Sequence, residues 1–588
     1  MNFKSAIALS GLVAVSLAAN AQGLHKEIDV DSKVDPVKRE ASRFTILPSL
    51  QLPSPTRPQL SYSDRVVSTT VPNTSPLLAP TAYGDKLYTS PYRGYVVAGL
   101  GTPIFNATFS AGYRAIATDK TSLNLWSQYD GDVYRNKITD VIAGGPVRRD
   151  YINRDHSASL GAQFNHAVGS STKLNAALDY TFACHTNPQR LSEYYTQNFS
   201  RLNASALLSA NKENVAYTAG LHYQHFGTYH VSHINHNLTP SLPQKGIRQN
   251  LFGAEGSIAL PFGDDETFIA LDANVDFLKS SMGLIPASPF INEFTAKSSS
   301  TSGLISLTPH YDFSTSTVKT SIGVQVDYST GAGDDFSNFH VAPEIKFAWT
   351  PSQTFGFEAS ATGGSTLNSR ASLYDITPYI SPYTVYDQSH VPYDLNARFT
   401  VGPFAGAYLQ VFGGYAKADN WLMPVDYDYH NGYLYGVFAP VDLSAWHLGA
   451  AVGYDYKDIA SIRVSYETAP NDYHDAYYKW SDYAKHVFDL NLKVRPMAPL
   501  TVALGWQFRA GRADYSISET SSVIGSVFSD TRNSLGTVSN LSLEADYAVT
   551  DRLNVFGRGE NLLSRRFHYI GHRYAQGTTV MVGAALKF

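Results

Sequence analysis

Phe268-Ile269-Ala270-Leu271-Asp272-Ala273-Asn274-Val275-Asp276-Phe277 sorts its side chains by parity. In extended backbone Ile269, Leu271, Ala273, Val275 and Phe277 share one face, and Asp272, Asn274 and Asp276 share the other. The same alternation returns in His486–Val494, where Phe488, Leu490, Leu492 and Val494 oppose Asp489, Asn491 and Lys493. In Leu500–Phe508, Leu500, Val502, Leu504, Trp506 and Phe508 oppose Thr501, Gly505 and Gln507; in Leu541–Tyr547, Leu541, Leu543, Ala545 and Tyr547 oppose Ser542, Glu544 and Asp546. A soluble sandwich also alternates, but its inner faces meet each other and reject a carboxylate, amide or lysine in strand after strand. An oily medium on one side and a wet lumen on the other accept this pattern.

Composition agrees. Charged residues are 16% of the 588 and aromatics 13%, with 39 Tyr and 30 Phe against 6 Trp. That is well under the roughly 25% charge of soluble domains, and Tyr suits a lipid–water boundary. Mean hydropathy is -0.19, and no internal apolar run approaches the ~20 residues of a spanning helix. Lipid satisfies no backbone polar group, so a closed barrel is the remaining membrane architecture. With 45 basic and 50 acidic residues, net charge -5 and no basic run, the chain offers nothing to nucleic acid. The single cysteine, Cys184, forms no internal disulfide and is too far from the N-terminus to carry a lipid anchor.

Residues 1–21 read as a secretory signal peptide: Lys4, then the apolar stretch Ala6–Ala19, then Ala19-Asn20-Ala21 as a small-x-small site, with cleavage between Ala21 and Gln22. Residues 22–92 hold nine of the 29 prolines, spaced against helices and central strands, with Phe44, Ile46, Leu47, Leu50, Leu52 and Leu60 scattered among them. This segment reads as extended chain lying inside the barrel or against a periplasmic partner. Residues 93–588 read as the barrel.

Ten tight joins are expected near Thr118–Thr121, Val168–Thr172, Asn211–Asn214, Gly263–Glu266, Ser314–Thr317, Pro351–Gln353, Gly402–Pro403, Lys457–Asp458, Arg495–Pro499 and Thr550–Arg552. Between them fall long polar connections: Arg135–Asp155, His230–Ile247, Thr366–His390, Asp419–Asp442 and Arg512–Asn540. Ten short turns at one end predict a transmembrane antiparallel barrel of about 22 strands in the outer membrane, both termini periplasmic. The last strand puts Val580, Val582, Ala584, Leu586 and Phe588 on one face. A terminal amphipathic strand ending in Phe resembles the signal read by the barrel-assembly machinery, with Val580, Val582, Leu586 and Phe588 carrying it.

Just before it, Asn554-Val555-Phe556-Gly557-Arg558-Gly559-Glu560-Asn561-Leu562-Leu563-Ser564-Arg565-Arg566 resembles the penultimate-strand motif of the TonB-dependent receptors of the Bacteroidota. Glu560, Asn561, Leu562, Leu563, Arg565 and Arg566, followed by Phe567, carry the likeness. The resemblance implies ligand binding and uptake through a large barrel, energised by a TonB-type protein. The chain departs from the family in its N-terminus, where about 70 Pro-rich residues stand in place of a plug of well over a hundred. Twenty-two strands at ~4.8 Å spacing and ~40° tilt close a circle of radius roughly 22 Å, leaving a lumen of roughly 15 Å after inward side chains. A 70-residue body, of radius about 14 Å, obstructs that lumen without filling it. Infolded external loops, inner-face side chains or a partner must supply the rest. The short N-terminus also admits a second role: a plug-less anchoring or assembly subunit that recruits a periplasmic or lipoprotein partner through residues 22–92.

No Gly-x-Ser-x-Gly elbow, His-Glu-x-x-His pair or phosphate-binding glycine loop is present, so no enzyme and no cofactor is expected. His222, His225, His230, His233 and His236 crowd into 15 residues. Parity separates His222 from His225, which leaves His230, His233 and His236 as a loop trio suited to a metal, or simply as rings at the headgroup boundary. Asp426, Tyr427, Asp428 and Tyr429, with Tyr477 and Trp480, make two acidic, aromatic external stretches suited to stacking sugars or holding a cation, or to a tyrosine girdle.

Overall fold

The computed structural model describes residues 92–142, 145–187, 195–212, 215–232, 247–281, 299–331, 338–378, 380, 388–430, 433–457, 459–469, 471–473, 484–522, 525–570, 573–574 and 576–588. Every wall strand pairs antiparallel with its sequence neighbours. The first, Gly94–Gly101, also pairs with the last, Thr579–Lys587, from Tyr95 opposite Lys587 to Gly101 opposite Met581. The sheet therefore has no free edge, and every ladder group finds a partner within it. One wall strand comes in two pieces, Ala460–Thr468 and Asn471–Tyr473, both paired to Tyr433–Tyr456. The wall has 22 strands, as expected.

The ten short connections lie together at one end. The turn expected at Gly402–Pro403 sits slightly later. The strand Gln388–Phe404 runs through Pro403 and turns at Ala405 and Gly406, whose φ values of 50° and 94° suit a two-residue hairpin turn.

Outside, the parity is as read. On Phe339–Ser352, Phe339, Val341, Ile345 and Trp349 face outward and stay exposed. From Phe339 to Trp349 the strand rises ~33 Å, or ~25 Å along the barrel axis at ~40° tilt, the height of a lipid-facing band. Phe262, Phe404, Tyr454, Tyr456, Tyr547 and Phe588 are exposed near the short-turn end and form an aromatic girdle there.

Three of the expected long loops are instead paired hairpins. The strands Thr121–Ile142 and Gly145–Val168 pair as far as Ile142 opposite Gly145. Ala407–His430 and Tyr433–Tyr456 pair as far as His430 opposite Tyr433, and Ala513–Ser522 pairs with Gly525–Ser534. Beyond the lipid, both faces of a hairpin meet water, so polarity stops alternating while the backbone still seeks cross-strand partners. A 24-residue strand is ~80 Å long, so the first two hairpins, of strands of 22 to 24 residues, stand far clear of the band.

Candidate functional site

Register assigns the lumen its side chains. Asp272, Asn274 and Asp276 face inward opposite Ser257, Glu255 and Gly253 on one side and Thr308, Ser306 and Leu304 on the other. Imidazole and amide neighbours hold the wall carboxylates. His222 Nε2 lies 2.8 Å from Asp276 Oδ1, and Asn274 Nδ2 donates to Asp276 Oδ2 at 2.6 Å. Gln128 Nε2 donates to Asp130 at 2.7 Å, Asn203 Nδ2 to Asp179 at 2.8 Å, and Gln224 Nε2 to Asn203 at 2.9 Å. Such ladders fix side chains against the wall and give a polar solute many partners.

Opposite this wall a cavity of about 400 Å³ opens among the strands Ala407–His430 to Leu553–Glu560. Arg463, Lys493 and Arg558 line it together with Asp455, Glu544 and Glu560. Arg558 approaches Glu544 to 3.6 Å.

The connection expected as a polar loop over Thr366–His390 crosses the lumen. Ser369 caps a one-turn helix, α1 (Arg370–Tyr374), through a capping box with Ser372. The Arg370 backbone N–H donates to Gln249 Oε1 at 2.6 Å, and its guanidinium donates to the Ile380 carbonyl at 2.9 Å. Arg201 donates to the Ala371 carbonyl at 3.0 Å and to Asp375 Oδ1 at 2.8 Å, while its guanidinium stacks over the Phe226 and Tyr374 rings. Tyr374 packs 4.5 Å from Phe199, centroid to centroid, and its hydroxyl lies 2.6 Å from His185 Nε2. Burial pushes that phenol's pKa up; it stays protonated and donates to His185, whose Nδ1 then faces Asp155 at 3.1 Å.

The far end of the segment is apolar. Leu373 and Ile380 pack with Leu422 and Phe438, whereas Ala371 packs with Phe199 and Phe226. The segment leaves and rejoins the wall at Leu367 and Gln388, five to nine strands round a circle of 22 from the strands Thr172–Asn187 to Arg248–Phe262 that carry His185, Arg201, Phe226 and Gln249. Residues 369–380 are thus a strap across the barrel. His185 stands 13 residues above the turn end of its strand, Thr172–Asn187, or roughly 33 Å up the axis. The strap lies at the mouth away from the short turns.

The motif that carries the family likeness is mostly a structural turn. Asn561, 4% exposed with φ 47°, donates from Nδ2 to the Arg565 and Gln576 carbonyls at 3.0 and 2.9 Å and accepts from the Arg565 N–H at 3.1 Å. Its own N–H donates to Asn540 Oδ1 at 2.9 Å. The Leu562 N–H donates to the Leu541 carbonyl, Leu563, Arg565 and Arg566 are exposed, and Glu560 lines the cavity. Val580, Val582, Leu586 and Phe588 face outward and are exposed. His222 faces the lumen, while His225 faces out and pairs with Asn250 at 2.9 Å. The backbone of His230 opposes Gln197, and Asp426, Tyr427, Asp428 and Tyr429 oppose Val437, Gly436, Tyr435 and Leu434 in the long hairpin. His233, His236, Tyr477, Trp480, Ala21 and Gln22 lie outside the described residues. Among the described residues, no three of His, Cys, Asp and Glu group as metal ligands.

The strap anchors went unnoticed in the sequence. The one local trace was Ser369 with Ser372 ahead of Leu373 and Tyr374, a weak helix start inside a presumed loop.

No protein-family model matches the chain, and no curated protein matches it either. Solved structures do. The ferric enterobactin receptor PfeA of Pseudomonas aeruginosa superposes with a TM-score of 0.60 at 11% identity, over 84% of this chain and 80% of that one. The siderophore receptor PirA of Acinetobacter baumannii gives 0.61 at 9%, over 85% and 81%. The outer membrane transporter YddB of Escherichia coli gives 0.58 at 9%, over 84% and 80%. The chain has the fold of these outer-membrane receptor and transporter barrels.

Proposed function

We propose that this chain is an outer-membrane barrel of TonB-dependent-receptor type that binds a ligand at its outer mouth and admits it through the lumen. The supporting observation is the strap: a polar, strapped passage is built to be opened, whereas a bare anchor needs no lumen furniture. The likeness to siderophore receptors adds weight, as does the penultimate-strand motif. Exported by residues 1–21, the chain sits with both termini in the periplasm, where residues 22–92 meet an energising partner. Asp426, Tyr427, Asp428 and Tyr429 on the long external hairpin, with Tyr477 and Trp480, make first contact with the ligand. The charged cavity receives it below the strap.

Growth of a deletion strain on single limiting nutrients, iron chelates and glycans among them, tests this. Loss of growth on one nutrient, restored by the intact gene, is expected. Normal growth on every source together with a leaky or misassembled envelope would instead establish the anchoring role.

A further inference from the structure

The cavity of about 400 Å³ sorts its charges by side. Register lays one row across it: Asp455 opposite Ser461, Ser461 opposite Lys493, Lys493 opposite Ala503, Ala503 opposite Glu544 and Glu544 opposite Arg558. The next row runs from Arg463 through Asn491 and Gly505 to Ser542. The middle strand, Leu500–Ala510, thus gives only Ala503 and Gly505 to these two rows, and its inner face is a trough. On one bank stand two cations, Arg463 and Lys493, against one carboxylate, Asp455. On the other stand two carboxylates, Glu544 and Glu560, against one cation, Arg558. The banks carry opposite net charge.

The two banks cannot satisfy each other. Lys493 and Glu544 sit two strand spacings apart across Ala503, ~10 Å between their backbones. Lys493 and Arg463 are exposed to the lumen, and Arg463 holds only a 3.3 Å bond to Gln410 Oε1. The Arg558 side chain is 10% exposed, and its Nη2 stops 3.6 Å from Glu544 Oε1. Its Nε and Nη2 have no hydrogen-bond partner among the described residues. Buried donors left in that state favour an incoming acceptor.

A simple anion would gain at Lys493 and Arg463 and be repelled by Glu544 and Glu560; a simple cation would meet the reverse. A dipolar solute gains on both banks. The strands of Lys493 and Arg558 are three spacings apart, ~14 Å, and their side chains lean in across that gap. Extended peptide spans ~3.5 Å per residue, so two or three residues hold their charged ends ~7–10 Å apart. A free amino acid carries both charges on one residue and reaches one bank only. A peptide also brings a carbonyl oxygen for the Arg558 donors. Lys493 stands four residues above the turn end of its strand, His486–Met497, or roughly 10 Å up the axis, far below the strap.

We propose that this trough is a subsite for a short peptide with free ends, its carboxylate on Lys493 and Arg463, its ammonium on Glu544 and Glu560, and a peptide carbonyl on Arg558. The inference rests on the uptake reading for how the peptide arrives. Binding itself is measured without transport, so normal growth of the deletion strain on every nutrient would end the uptake reading and leave the binding result standing.

Equilibrium dialysis of radiolabelled dialanine against the purified full chain in detergent, unmodified and as Arg201→Ala to free the passage, tests it. N-acetyl-dialanine, which lacks the ammonium, and dialanine amide, which lacks the carboxylate, should each bind about tenfold more weakly than dialanine. Lys493→Gln should cut the preference over the amide and keep the preference over the acetylated form. Glu560→Gln should do the reverse, with Glu544→Gln in its place if that chain folds poorly. Dialanine bound by neither chain, or no tighter than its two blocked forms, overturns the proposal. So does a single change that removes both preferences together, or a preference that survives the change aimed at it.

Discussion

Two segments of this barrel leave the strand pattern and are pinned by a hydrogen-bonding hub, and they differ in reach. The Asn561 turn is tied to residues 540, 565 and 576, all within 21 residues of it in the chain. The strap is tied to Gln249, Arg201 and His185, which lie 121 to 189 residues away. The first shapes the wall and belongs to assembly. The second shapes the passage. Breaking the turn should therefore cost stability, and breaking the strap should change what the pore passes.

The largest effect is expected for Asn561→Ala. It removes three side-chain hydrogen bonds and leaves alanine in a left-handed conformation, together about 3 kcal/mol, read as a lower urea midpoint for unfolding in lipid vesicles. Asn561→Gly, free of the backbone strain, should lose about 2 kcal/mol. Equal losses in the two variants would show that backbone conformation contributes nothing.

Arg201→Ala comes next. It removes the donor to Ala371 and the cation between two rings, about 2 kcal/mol of strap docking. Single-channel conductance in a planar bilayer should rise while the unfolding midpoint stays near that of the unmodified chain. A fallen midpoint with unchanged conductance would move Arg201 from the passage to the wall.

Tyr374→Phe keeps the ring against Phe199 and loses only the bond to His185, about 1 kcal/mol, so brief openings rather than a steady open state are expected in the same recordings. Asp375→Asn should do least. Its carboxylate is 61% exposed, and exposed pairs contribute about 0–1 kcal/mol, so its conductance should match that of the unmodified chain. If Asp375→Asn opened the pore as far as Arg201→Ala, the exposed ion pair and not the aromatic enclosure would be the fastening.

How legible each region was follows from the same contrast in reach. The parity of Phe268–Phe277 survives intact because lipid and lumen act on single strands, and a period of two records that choice residue by residue. The ten turns were legible because turn chemistry is local; the one displaced, at Ala405-Gly406, was masked by the adjacent Gly402-Pro403. The three paired hairpins were not legible as strands, since a stretch such as Asp426-Tyr427-Asp428-Tyr429 offers no apolar face for a period of two to record. Asn561 was picked out by its motif, though as a mark of kinship rather than as the hub of a turn.

Alternation and turn spacing in the chain alone determined that it closes as a lipid-facing tube of about 22 strands, because those signals come from neighbours in sequence. That a long connection becomes a strap, and that Arg201, Phe226 and Tyr374 meet, was decided only by closure of the barrel. Closing the circle brings the Phe355–Leu367 and Gln388–Phe404 strands within one strap's length of the opposite wall, a proximity set by circumference and by no local pattern.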